Sequence, residues 1–152
     1  MSLESQGIKK QTETKGDGRT KPKETSEVHV QLVIRLEATG EVLYDSRGET
    51  SSNTPVPIDL GDTDVKGAKE AIMSMTLGER SEFMIPSKLL YGKKGGIIKN
   101  ADIDHPVPPD ADMEWDIELV GVDKHRLNRY AEPRASVCVF NKSKTIVRHD
   151  ED

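Results

Sequence analysis

The sequence predicts an α+β domain in which one antiparallel sheet wraps a single short helix. Over several short segments, apolar residues alternate with polar ones, which is the period of a half-buried strand. Only one segment carries apolar residues at helical spacing, and it lies between strand segments in the chain. A lone helix inside a run of strands must bury its apolar face against the sheet.

Three strand segments are predicted in the first half of the chain. Residues 9–27 are rich in Lys, Glu, Thr and Gly, which predicts an extended or weakly ordered approach. Apolar and polar residues alternate at 28–34, which predicts the first strand, and a second strand follows at 42–44 after turn-forming residues. Residues 46–55 have no periodicity and predict a surface loop, after which 56–60 form a short third strand.

The only amphipathic helix is predicted next. Asp64 is a suitable N-cap. Apolar residues fill one helical face between positions 65 and 75, and Gly78 is well placed to end the helix. We therefore expect a helix of about three turns.

Two more strands are predicted on either side of a long loop. Apolar and polar residues alternate at 80–86, which predicts a strand. Residues 92–109 form the loop, which contains three prolines and two adjacent glycines. The segment 113–120 is the clearest strand, with Met113 and Trp115 on the apolar face. In the tail, residues 137–140 and 145–147 predict a hairpin; the alternative is that the tail links to a further domain.

Composition limits the class of protein. The chain has 152 residues, 34% apolar and 32% charged, which suits one domain with polar ends. Its net charge of −5 gives no general attraction to nucleic acid or to an anionic membrane. One cysteine excludes an internal disulfide framework and favours a reducing compartment, the cytoplasm or nucleus. There is no apolar run of roughly 20 residues and no signal-peptide pattern at the start.

Several short motifs occur in order along the chain: Tyr44-Asp45, Leu60-Gly61, Met75-Thr76-Leu77-Gly78-Glu79-Arg80, Tyr91-Gly92 and Val107-Pro108-Pro109-Asp110-Ala111. In order and spacing they resemble the motifs of the FKBP family, the immunophilins that bind tacrolimus and rapamycin. The resemblance covers about 115 residues and implies a five- or six-stranded antiparallel sheet curved around one short helix. It also implies peptidyl-prolyl cis-trans isomerase activity.

The chemistry of this reaction needs no nucleophile, metal or cofactor. Amide resonance sets a barrier of about 20 kcal/mol to rotation about an X-Pro bond, and a dry aromatic pocket disfavours the planar, charge-separated amide. The resemblance implies that Tyr91 supplies a hydroxyl, that Asp45 supplies the carboxylate, and that a backbone N–H near Val65 or Lys66 binds a ligand carbonyl. It implies that the apolar lining consists of Tyr44, Val56, Ile58, Val107 and Trp115.

Two positions and one loop depart from the family pattern. Ala68 stands where the family has a tryptophan at the pocket floor, and Val30 or Leu32 stands where the family has a tyrosine. The loop after Tyr91 is lengthened by an insert at 99–106. We interpret the nearby cluster of Asp102, Asp104, His105, Asp110 and Asp112 as a solvated acidic loop rather than a metal site. Because an indole buries roughly 150–250 Å², its absence predicts weaker binding of prolyl ligands.

We therefore expect an isomerase of proline-containing peptides or proteins with reduced activity. It would bind macrolides weakly and would be a monomer or part of a longer multi-domain immunophilin. The alternatives are a non-catalytic interaction or co-chaperone domain and a holdase-like chaperone. The expected organisation is an N-terminal extension at 1–23, partly disordered, an FKBP-like domain at 24–123 and a C-terminal extension at 124–152.

Overall fold

The computed structural model describes residues 3–46, 55–63, 65–100, 103–126, 136–140 and 145–149. The helix α1 spans Lys66–Met73. The strands are β1 (Lys9–Thr14), β2 (Glu27–Leu36), β3 (Val42–Asp45), β4 (Val56–Asp59), β5 (Arg80–Ile85), β6 (Gly96–Asn100), β7 (Ile103–Val107), β8 (Met113–Val122), β9 (His125–Arg126), β10 (Ser136–Phe140) and β11 (Thr145–His149).

Nine of these strands form one sheet, in the order β1-β5-β8-β2-β4-β10-β11, with β3 also beside β2 and β9 beside β8. The pairings are antiparallel except that of β10 with β4. The predicted class, a curved antiparallel sheet with one short helix, is confirmed. The sheet has more strands than expected because β1, β9, β10 and β11 join it.

The core lies between the inner face of this sheet and α1. Alternate residues of β2 and β8 point inward and are fully or almost fully buried, as the period-two pattern predicts. They are Val28, Val30, Leu32, Ile34 and Leu36 on β2 and Met113, Trp115, Ile117 and Leu119 on β8.

The helix is shorter than predicted and begins differently. Its N-cap is Val65, without a side-chain cap, whereas Asp64 lies outside the described residues. It ends after eight residues, where the Ser74 hydroxyl donates to the Ala71 carbonyl at 2.6 Å. A Cβ at Gly67 would come within 2.5 Å of the Ile85 side chain and 2.9 Å of the Leu89 carbonyl oxygen. Glycine at this position therefore lets the start of α1 pack closely on β5 and the turn that follows it.

The N-terminal segment is more ordered than its composition predicts. Lys9–Thr14 pair with β5 as an edge strand in which every residue is exposed. Lys10 anchors this strand: its ammonium lies 2.8 Å from the carboxylate of buried Glu79 and donates to the Ser74 carbonyl at 3.2 Å. Backbone pairing and an ion pair between Lys10 and buried Glu79 hold β1, and neither interaction requires an apolar pattern in the sequence.

The segment predicted as a long loop is structured. A 3-10 turn at Gly92–Lys94 leads into β6, which pairs with β7 from Gly96↔Val107 to Asn100↔Ile103. In the tail, β10 and β11 form the hairpin that was one of the two predicted alternatives. Among the residues the structure describes, no helix is long and apolar enough to span a membrane.

Candidate functional site: an enclosed apolar cup

A cross-strand row of inner-face residues forms the wall of the candidate site. Tyr44 of β3 pairs with Ile34, which pairs on its other side with Trp115, and Trp115 pairs in turn with Phe83. Neighbouring strands lie about 4.8 Å apart, so Ile34 separates the backbones of Tyr44 and Trp115 by two strand spacings. Both aromatic side chains are buried, and Trp115 has no exposed surface.

A β-bulge in β3 allows two consecutive residues of this strand to be buried. The register between β2 and β3 shifts between Ile34 and Arg35, which adds Leu43 as an extra residue on β3. As a result Leu43 and Tyr44, although consecutive, are both buried in the core cluster. Asp45 is the last residue of β3, pairs with Val33 and is half-buried. The role of its carboxylate beside the aromatic residues stays a prediction.

The start of α1 carries the predicted floor residue, Ala68, and the two predicted backbone donors. Val65 and Ala68 are buried in the same cluster, while the Lys66 side chain is exposed. The first N–H groups of a helix lack acceptors within the helix and are available to other groups. The Val65 N–H donates to the Thr63 hydroxyl at 3.4 Å. The role of the backbone N–H of Val65 or Lys66 as a donor to a ligand carbonyl stays a prediction.

Tyr91 and Val107 are buried in the same core. Tyr91 follows the 3-10 turn at Ser87–Leu89 and is 3% exposed, and Val107 ends β7 and is 4% exposed. Both belong to the cluster that contains Tyr44 and Trp115. We use the name cup for the predicted site residues that share this cluster, which are Tyr44, Val65, Ala68, Tyr91, Val107 and Trp115.

The two predicted lining residues on β4 lie at different distances from this cup. Val56 pairs with Val30 and Ile58 with Val28, so they lie four and six residues along β2 from the row of Tyr44 and Trp115. At about 3.4 Å per residue, Ile58 is about 20 Å along β2 from that row. Both residues are buried in the core. The register thus brings Val56 nearer to the cup than Ile58.

Sequence reasoning missed three residues that pack with the cup. Leu43, Leu90 and Ile98 are each at most 1% exposed and belong to the same cluster. The adjacent apolar pair Ile97 and Ile98 was the available signal, since two isoleucines in an otherwise polar loop indicate that one of them is buried.

These predicted site residues share one buried, mostly apolar cluster. Among the described residues, no three His, Cys, Asp or Glu side chains are placed to hold a metal ion.

The chain matches known proteins over most of its length. The family model described as FKBP-type peptidyl-prolyl cis-trans isomerase matches residues 18–120. The peptidyl-prolyl cis-trans isomerase FKBP1A of Xenopus laevis is 32% identical over 120 residues, which cover 77% of this chain and 99% of that protein. The FK506-binding protein 1 of Yarrowia lipolytica is 33% identical over 110 residues, covering 71% of this chain and 91% of that protein.

Solved structures share the fold. The N-terminal domain of FKBP42 from Arabidopsis thaliana superposes with a TM-score of 0.62 at 25% identity, covering 77% of this chain and 87% of that one. A peptidyl-prolyl cis-trans isomerase from Pseudomonas syringae gives a TM-score of 0.61 at 26% identity, covering 78% and 77%. By its sequence match and its sheet, the chain belongs to the FKBP-type peptidyl-prolyl cis-trans isomerase family.

Proposed function

We propose that the chain accelerates cis-trans isomerisation of X-Pro bonds in peptides and proteins by binding the prolyl residue in the cup. The observation that carries this proposal is that the predicted site residues Tyr91, Val107 and Trp115 lie in one buried cluster and are all at most 4% exposed. A planar amide is stabilised by resonance, which also separates charge between its nitrogen and oxygen, and a twisted amide has lost both the resonance and the charge separation. Dry apolar surroundings therefore disfavour the planar ground state relative to the transition state.

The proposed roles follow from position. The side chains of Tyr44 and Trp115 hold the proline ring, and the Tyr91 hydroxyl and the Asp45 carboxylate orient the amide. No covalent step is required, because positioning and apolar surroundings suffice for a rotation about a single bond. This activity needs no cofactor. The single cysteine favours a reducing compartment, so we place the protein in the cytoplasm or nucleus.

Ligand affinity is expected to be modest because of Ala68. An alanine at the floor lacks the roughly 150–250 Å² that an indole buries. At about 25 cal/mol per Å², even half of that area corresponds to roughly 2–3 kcal/mol of binding free energy. We therefore propose proline-containing peptides as substrates and only weak binding of macrolides such as rapamycin.

The test is an isomerisation assay on a proline-containing peptide. Tyr91→Phe and Asp45→Ala should each lower kcat/KM about three- to tenfold, the size of one lost hydrogen bond. Glu41→Ala is the matched control, because it removes one carboxylate from the exposed turn before β3 and should leave the rate unchanged. If folded wild-type protein does not accelerate isomerisation at all, the proposal is wrong.

A second candidate is a non-catalytic interaction domain, favoured by Ala68 at the position where the family has a tryptophan. The two candidates differ in a titration with rapamycin, followed by the fluorescence of Trp115, the only tryptophan. An isomerase with an accessible cup should show a saturable change even if the affinity is weak. An interaction domain should show no change and no catalysis while unfolding cooperatively.

A further inference from the structure

The N-terminal arm, residues 9–20, lies across the connection between α1 and β5. At the far end of the arm, the Asp17 N–H donates to the Leu77 carbonyl at 2.8 Å, and the Leu77 N–H donates to the Thr20 carbonyl at 2.9 Å. A Cβ at Gly16 would come within 2.9 Å of the Leu77 carbonyl oxygen, so glycine permits this close approach. Backbone contacts thus hold this end of the arm against the connection.

Lys10 holds the other end of the arm, and its ammonium contacts three groups. The Nζ atom lies 2.8 Å from the Glu79 carboxylate and donates to the Ser74 carbonyl at 3.2 Å. It also lies 5.7 Å from the centre of the Phe83 ring, within the range of a cation–π contact. Although β1 is an exposed edge strand, the Lys10 side chain is only 24% exposed. One ammonium therefore joins the arm to the end of α1, to the connection and to β5.

The Glu79 carboxylate is neutralised by Lys10. The Glu79 side chain is 9% exposed, and it accepts hydrogen bonds from two uncharged donors, the Ser81 hydroxyl at 2.7 Å and the Thr76 N–H at 3.3 Å. In the part of the chain that the structure describes, Lys10 is the only cation within ion-pair distance of Glu79. A buried carboxylate that loses its cation is destabilising, so the charge of Lys10 should matter more than that of an exposed lysine.

Lys10 also supplies a positive charge at the C-terminal end of α1. The helix has eight residues and no basic residue in its own last turn. Such a short helix is marginal by itself, and a cation near its last carbonyl groups stabilises it. Ser74, whose carbonyl accepts the Lys10 hydrogen bond, is the C-cap of α1. The arm thus contributes to the stability of the helix that carries Ala68.

We propose that Lys10 is a charge-operated latch between the N-terminal arm and the end of α1. While the ε-amine of Lys10 is charged, the arm stays closed over the connection. Neutralisation of this amine releases the arm and frays the C-terminal end of α1, while the central strands stay folded. Such a local opening needs less free energy than global unfolding. The latch does not depend on isomerase activity.

The test is amide hydrogen exchange of Lys10→Gln, with Lys9→Gln as the matched control because Lys9 is the adjacent, exposed lysine of the same strand. Two amides report the opening: that of Leu77, which donates to the arm, and that of Ser74, which donates to the Glu70 carbonyl at the end of α1. Lys10→Gln should speed exchange at both about tenfold or more, because the buried carboxylate loses its partner. Amides at the centre of β2 and β8 should exchange as in wild type, and Lys9→Gln should change none of these rates.

A double-mutant cycle tests whether Glu79 is the partner through which Lys10 acts. Glu79→Gln leaves the ammonium of Lys10 without its carboxylate, but this ammonium can reach water, so the effect should be smaller than that of Lys10→Gln. In the variant Lys10→Gln/Glu79→Gln no buried carboxylate remains. Its exchange rates should therefore be close to those of Glu79→Gln rather than the product of the two single effects.

Three results would overturn the latch. If Lys10→Gln exchanges like Lys9→Gln, the ammonium does not hold the arm. If exchange rises equally in β2 and β8, or if Lys10→Gln does not fold, the arm belongs to the cooperative core and does not open separately. If the two substitutions act independently in the double variant, Lys10 acts through a group other than Glu79.

Discussion

The two faces of the central strands β5, β8 and β2 are held by different forces. The inner face is almost entirely apolar, and its rows interlock across the sheet from Tyr44 to Phe83. The outer face carries charged side chains on the same strands: Arg35, Arg80, Glu82, Glu114, Asp116 and Glu118. Burial of apolar surface stabilises the inner face. The stability of the outer face depends on which charged side chains lie opposite one another.

One ion pair dominates the outer face. The Arg80 guanidinium donates to Asp116 through Nε at 3.2 Å and through Nη2 at 2.9 Å. The Asp116 side chain is 6% exposed and that of Arg80 is 43% exposed, so this two-pronged contact neutralises a carboxylate that lies almost out of water. The hydrogen bond to Asp116 raises the pKa of Arg80. A strand can therefore be apolar in pattern on one face while its other face buries charge through a cross-strand partner.

The largest effect is expected on the inner face. Phe83→Ala should lower the free energy of unfolding by about 3–5 kcal/mol, because the ring is fully buried and its removal leaves a cavity. Met84→Ala is the control: it is the next residue, half-buried on the outer face, and should cost less than half as much. Urea denaturation of both variants measures the difference. Equal losses would contradict the division of the sheet into an apolar and a charged face.

The same contrast explains how much of the fold the sequence predicts. The strands β2 and β8 are predictable because their alternation is local and continues for up to ten residues. The strand β1 is not, because Lys9–Thr14 contain no apolar residue and are held by backbone pairing, by the contacts of Lys10 and by a hydrogen bond from the Ser81 hydroxyl to that of Thr12. The hairpin β6–β7 is also missed, since glycines and prolines normally indicate a loop.

The candidate site divides in the same way. Its aromatic walls, Tyr44, Tyr91 and Trp115, are predictable from motif order, and the structure places all three in one buried cluster. Ile98 is not predictable in this way, because its burial depends on the hairpin folding back over β3. The N-cap at Val65 is missed for a related reason: the Thr63 hydroxyl contacts the Val65 N–H, and Val65 has no capping side chain of its own.

An intermediate effect is expected when the outer ion pair is broken. Arg80→Ala leaves the buried Asp116 without its two-pronged partner. For a fully buried pair this would cost about 3–5 kcal/mol, but Arg80 is 43% exposed, so solvent screening reduces the expected loss to about 1–2 kcal/mol. Arg80→Lys keeps the positive charge but lacks the two-pronged guanidinium. Its stability should therefore lie between those of wild type and Arg80→Ala. If Arg80→Ala unfolds at the same urea concentration as wild type, the pair does not stabilise the outer face.

The smallest effect is expected at Glu82, whose carboxylate lies among like charges. Partial burial, and then repulsion from Glu114, Asp116 and Glu13, raise the pKa of Glu82 above its ordinary value of 4.5. A carboxyl group with a raised pKa destabilises the fold where it is ionised, and this penalty disappears as the pH falls below the ordinary value.

Glu82→Gln should therefore stabilise the protein at pH 7, by about 0.5 kcal/mol as is usual for partly exposed sites, and the gain should vanish near pH 4 and below. Thermal unfolding between pH 3 and pH 8 measures this, with Glu41→Gln in the exposed turn as the control that should track wild type. A gain that grows as the pH falls would mean that Glu82 accepts a favourable contact when ionised. The outer face would then be held by attraction at Glu82 as well as at Asp116, and its acidic residues would not be its weak point.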